Sequence, residues 1–165
     1  MPTETKAKVK AKEPANSKPA LLRQYIAGKW RDGSGKRRVV STSPTDARVV
    51  LAEGQGGARE DALAAIAAAH AAYPAWKATP APARARVLDR VVKLAREGKE
   101  KLARILALEE GKILSEALGE IEKGINLLEW YAGEGTRFMG DTAPSELPGN
   151  LLFTIIEPLG PVSII

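Results

Sequence analysis

Leu151-Leu152-Phe153-Thr154-Ile155-Ile156-Glu157-Pro158-Leu159-Gly160-Pro161-Val162-Ser163-Ile164-Ile165 is the stretch that decides how this chain is read. Two apolar, β-branched runs flank Glu157-Pro158-Leu159-Gly160, whose proline and glycine interrupt regular structure. The pattern predicts two consecutive strands. An apolar strand needs neighbours for its backbone donors and acceptors. Both strands are therefore expected to join a larger sheet, and the 165 residues to be the opening section of a longer α/β protein.

Upstream, Asp141–Gly149 with Pro144 and Pro148 reads as an extended connector. Before it lie four helical patterns. The first has one face of Leu63, Ile66, His70, Tyr73 and Trp76 at three- and four-residue spacing, with Glu60 and Asp61 favourable to the dipole in its first turn. Thr79 then reads as an N-cap with Pro80 at the first helical position. That second helix carries Val87, Leu88, Val91, Leu94 and Ala95. After Gly98 a third carries Leu102, Ile105, Leu106 and Leu108 and closes on Gly111. The fourth runs from about Ser115 to Met139 with the stripe Leu118, Ile121, Ile125, Leu128 and Ala132, and Gly140 ends it. Gly124, Gly133 and Gly135 each weaken it by about 1 kcal/mol relative to alanine.

The segment Leu21–Glu53 reads as β structure. Tyr25–Trp30 is expected as one short strand and Asp32-Gly33-Ser34-Gly35 as a turn. Strands Arg38–Ser43 and Arg48–Ala52 follow. Gly54-Gln55-Gly56-Gly57 then reads as a strand-to-helix turn, because Glu60 and Asp61 would repel a phosphate there and no Lys-Ser/Thr follows. Residues 1–20 are rich in Lys, Ala and Pro, cannot bury enough surface to offset their ordering entropy, and are expected to be a disordered basic leader.

Composition narrows the function classes. Hydrophobic content of 44% and charged content of 27% are ordinary for a globular protein. Of the net charge of +5, the leader's five lysines and two glutamates hold +3. The remainder is close to neutral, which argues against a nucleic-acid face. The chain contains no cysteine, so disulfides and thiolate chemistry are excluded for this polypeptide. No run of about 18 apolar residues is present, the N-terminus lacks a secretory h-region, and a cytoplasmic location is expected. His70 reads as a packed or snorkelling side chain, and Glu116 and Glu120 as a solvated face. From the residues alone no group is assigned a catalytic role.

Several pieces taken together resemble the N-terminal part of the NAD(P)-dependent aldehyde dehydrogenase superfamily. They are Tyr25–Trp30 with Asp32–Lys36, Ser43-Pro44-Thr45-Asp46, Ala68–Trp76 with its aromatic-Pro-x-Trp, Arg84–Leu88, Leu108-Glu109-Glu110-Gly111-Lys112, Tyr131–Glu134 before Gly140-Asp141-Thr142, and Glu157–Val162. The resemblance covers about residues 21–165. It implies aldehyde oxidation with NAD or NADP, on a cysteine that in the family lies further along the sequence, by a homo-oligomer. The chain alone is then expected to be inactive. The wording of Gly140–Pro148 is similar to that of branches acting on small semialdehydes.

The resemblance further implies an α/β fold with an N-terminal β-hairpin region and four amphipathic helices over residues 21–140. Within 141–165 it implies an oligomerisation-type strand at Leu151–Ile156 and, at Val162–Ile165, the first strand of a Rossmann-like nucleotide-binding domain. Ile164 and Ile165 are thereby the cofactor-proximal residues, and Ser41 and Glu109 mark a monovalent cation site. The alternative reading is a non-catalytic interaction or oligomerisation module whose strands add to a partner's sheet.

Overall fold

The computed structural model describes residues 18–164. Residues 1–17 of the expected leader, and Ile165, lie outside the described residues. Ala20, assigned above to the leader, already belongs to a strand.

The β region forms two small sheets. Strand β1 (Ala20–Leu21) runs parallel to β5 (Val50–Gln55), and β4 (Arg38–Thr42) pairs antiparallel on the other side of β5, giving the order β1-β5-β4. The expected single strand Tyr25–Trp30 is instead a hairpin of β2 (Gln24–Ile26) and β3 (Lys29–Arg31), with Tyr25 opposite Trp30. Its two-residue turn explains the difference. Ala27 and Gly28 both have positive φ, 51° and 78°, which reverses the chain with the twist that hairpins need. The Tyr25 and Trp30 rings lie 5.0 Å apart across it.

All four helices are present, with shifted ends. Helix α1 (Arg59–Ala78) runs through Pro74, which lacks the N–H that would reach the carbonyl of His70. Thr79 does not cap the next helix. Its backbone N–H and its hydroxyl both donate back to Ala75, closing α1, and Pro80 caps α2 (Ala81–Glu97). Helix α3 (Lys99–Glu110) ends at Gly111 in the left-handed conformation, as its sequence predicts. Helix α4 (Leu114–Glu134) stops at Gly135, short of the expected Met139.

The core lies between α2, α3 and α4 and is built largely from alanine. Ala85, Val92, Ala103, Ala107, Ala117, Ile125 and Ala132 are buried. In α2 the packed positions are Ala85, Leu88, Val92 and Ala95, while Val91 and Leu94 of the expected stripe are exposed. Leu102 and Ile105 of α3 are exposed as well. Small residues win these positions because they let the helix axes approach closely. A Cβ built on Gly135 would overlap that of Ala85. Arg96 of α2 pairs with Glu129 of α4 at 2.6 Å, and Lys99 of α3 reaches Glu122 at 2.5 Å.

The expected terminal strands are mostly unpaired. Strand β6 (Thr142–Ala143) pairs antiparallel with β7 (Leu152–Phe153), so part of the expected connector is strand and the expected strand Leu151–Ile156 is short. Residues 155–164 join no ladder among the described residues. The apolar pattern is there, but a strand exists only where a neighbour takes its hydrogen bonds.

Candidate functional site

Among the described residues, two places stand out as candidate sites. The first is the start of α1, where the Asp61 carboxylate is 8% exposed. It accepts hydrogen bonds from the Ser34 backbone N–H and hydroxyl, each at 2.8 Å, and from the Ala58 N–H at 2.9 Å. The Gln24 amide and the Arg31 guanidinium approach it at 3.4 Å. The Ser34 backbone N–H foremost, then the Ala58 N–H and the Ser34 hydroxyl, hold its carboxyl far below the usual carboxylate range. The glycine-rich turn is thus built around an anion supplied by the protein's own helix. Sequence reasoning placed Asp61 only in the first turn. Its place at the third helical position after Gly-Gly-Ala was the signal available for its capping role.

The second place is an open cleft of about 490 Å³ walled by the end of α1, by α2, by the end of α4 and by residues 156–158. Trp76, Leu88, Tyr131, Phe138, Ile156 and Pro158 make it largely apolar. Its charged groups sit on the walls: Glu134 pairs with Arg137 at 2.6 Å, Glu157 with Lys77 at 3.4 Å, and the Arg84 guanidinium donates to the Trp76 carbonyl at 3.4 Å. Its lining includes no serine, threonine, cysteine, lysine or histidine, so it offers a packing surface and no nucleophile beside a base.

The residues singled out in the sequence are dispersed. Ile164 is 90% exposed, on backbone outside any ladder, and Ile165 lies outside the described residues. Ser41 is half-buried in β4, opposite Ala52 and beside a register shift. Glu109 is exposed in the last turn of α3. The two segments meet next door, where a Cβ on Gly111 would stand 2.8 Å from the Pro44 ring. Among the described residues no cluster of three or more His, Cys, Asp or Glu could hold a metal ion. His70 is exposed, as are Glu116 and Glu120, the latter bridged to Lys112.

The sequence pattern of the aldehyde dehydrogenase family matches residues 30–165. The chain belongs to that family. It is 38% identical over 142 residues to the glutarate-semialdehyde dehydrogenase of Pseudomonas putida, covering 85% of this chain and 29% of that protein. Identity and coverage are the same for the NADP(+) succinate-semialdehyde dehydrogenase of Escherichia coli. Among solved structures, a betaine aldehyde dehydrogenase variant from Staphylococcus aureus, in complex with NAD+, superposes with a TM-score of 0.77 at 28% identity, over 82% of this chain and 28% of that one. The chain therefore spans under a third of the length of the relatives it matches. The mixed α/β fold with four helices and small sheets is the one these dehydrogenases share over that span.

Dinucleotide recognition needs amide groups or cations converging on the pyrophosphate. Around Ile164 the described residues offer extended, exposed backbone and an apolar side chain. On their own they do not fit a nucleotide. Among them, no helix is long and apolar enough to cross a membrane.

Proposed function

We propose that this chain contributes the N-terminal framework of an NAD(P)+-dependent oxidation of a small semialdehyde to its carboxylic acid. The observation that carries the reading is the 38% identity over 142 residues to dehydrogenases of two such semialdehydes. In this reading residues 21–140 are the β and helical part of the nucleotide-binding domain, and 141–165 hold the connector, the oligomerisation-type strand and the first strand of a Rossmann-like sheet. Ile164 and Ile165 would lie beside the cofactor only once that sheet is built. Ser41 and Glu109 would supply two oxygens to a monovalent cation, a role supported by the meeting of their segments at Gly111 and Pro44.

The 165 residues hold no cysteine, so the polypeptide by itself is proposed to be catalytically silent. Purified chain mixed with succinate semialdehyde and either nicotinamide cofactor should reduce none of it, and turnover would refute that silence. The family role is tested by grafting. Residues 21–164 replace the corresponding segment of the Escherichia coli succinate-semialdehyde dehydrogenase, and the chimera should oxidise its aldehyde. A folded chimera that binds NADP+ but turns over no semialdehyde overturns the assignment.

A second reading is favoured by the β6–β7 ribbon, where Leu152 and Phe153, and Leu151 and Ile155 beside them, are exposed. Such a ribbon can add to the sheet of another copy. Sedimentation of the isolated chain over a range of concentrations should then show self-association.

A further inference from the structure

Residues 155–164 join no ladder among the described residues, yet the Glu157–Gly160 segment is held in place from a distance. The Tyr73 hydroxyl, on the last turns of α1, donates to the Pro158 carbonyl at 2.9 Å across 85 positions of sequence. One turn further along the same helix, the Lys77 ammonium meets Glu157 at 3.4 Å. Gly160, at φ 99°, lies under the Tyr73 ring, where an added Cβ would touch the ring at 3.9 Å. Tyr73 and Pro158 are half-buried, while their neighbours Ala72, Pro74, Glu157 and Leu159 are exposed. Hydroxyl, ring and ammonium therefore converge on one four-residue segment from positions four apart, which share a helix face.

From this convergence we infer that Tyr73 and Lys77 form a two-point latch. It docks the Glu157–Gly160 segment on α1, completes the far wall of the cleft with Ile156 and Pro158, and fixes the direction in which residues 161–164 leave the fold. The ring supplies the contact surface, the hydroxyl selects the register of the segment by claiming one carbonyl, and the lysine adds an exposed, weaker tether. Neither residue touches a reacting group. They are positioning residues, and the inference stands independently of the dehydrogenase reading, since it involves neither nucleotide nor aldehyde.

The test compares Tyr73→Phe, which keeps the ring and removes one hydroxyl, with Lys77→Met, which keeps the stem and removes the charge. Backbone amide order parameters are measured by NMR relaxation on the 165-residue chain. In the unaltered protein Leu159, Gly160 and Val162 should show rigid values of about 0.85. Tyr73→Phe should lower them towards about 0.6, with a smaller loss for Lys77→Met, while Ala107, Ala117 and Ile125 keep theirs. Unchanged order at 159–162 in Tyr73→Phe overturns the latch. So does a loss spread equally through the helical core, which would make Tyr73 a general stabiliser of the fold.

Discussion

At the scale of single residues, Asp61 shows what an isosteric change can reveal. An asparagine there could keep its carbonyl oxygen where Oδ2 accepts from Ser34 and Ala58, but it would lose the charge that strengthens those bonds and turn its N–H groups towards the Arg31 guanidinium, which now faces Oδ1. Asp61→Asn should therefore lower the thermal midpoint at pH 7. Because the folded carboxyl sits far below its usual range, its contribution is complete above the unfolded value, about 4, and is lost as pH falls further. The gap in midpoint between the two proteins should hold from neutral pH down to about pH 4 and narrow below it. A gap independent of pH would show that shape, and not charge, holds the turn.

Elements raise a different question, which is how closely two helices can approach. Gly135→Ala would force α2 and α4 apart at Ala85 and should cost about 1–3 kcal/mol, the usual penalty for overpacking. Gly124→Ala meets nothing within 4 Å and should gain up to about 1 kcal/mol from helix propensity alone. Urea titrations of the two variants should move in opposite directions. The same pair explains what was legible in the sequence. The stripe of α4 and the left-handed stop at Gly111 follow from spacing and from glycine's freedom, so both could be read. The inward face of α2 could be read only in part: Leu88 and Ala95 were expected there, but Ala85 carries little hydrophobic signal although it makes the contact, whereas Val91 and Leu94 carry much and face water. The hairpin at Ala27-Gly28 was hidden because alanine seldom adopts positive φ. The Asp61 and Tyr73 contacts join residues 27 and 85 positions apart, which no local pattern encodes.

For the whole molecule, the balance of buried and exposed apolar groups matters most. Ile125 and Val92 are the only large aliphatic side chains in the buried core of the described residues, whereas Trp76, Trp130, Tyr131, Phe138, Phe153 and Ile156 are all exposed. So much apolar surface open to water marks a molecule that binds apolar probes while still folded. Native protein should enhance anilinonaphthalene sulfonate fluorescence before any denaturant is added, and the dye should be displaced if a partner covers that surface. A dim native protein would mean that the side chains rearrange in solution to cover themselves. The helical trio α2–α4 and the β region with α1 meet at few points, among them Gly111 against Pro44. The consequence is a divided cooperativity. Heat or denaturant can melt the sheets while the trio persists, so far-ultraviolet dichroism and Trp30 emission should not trace one common curve.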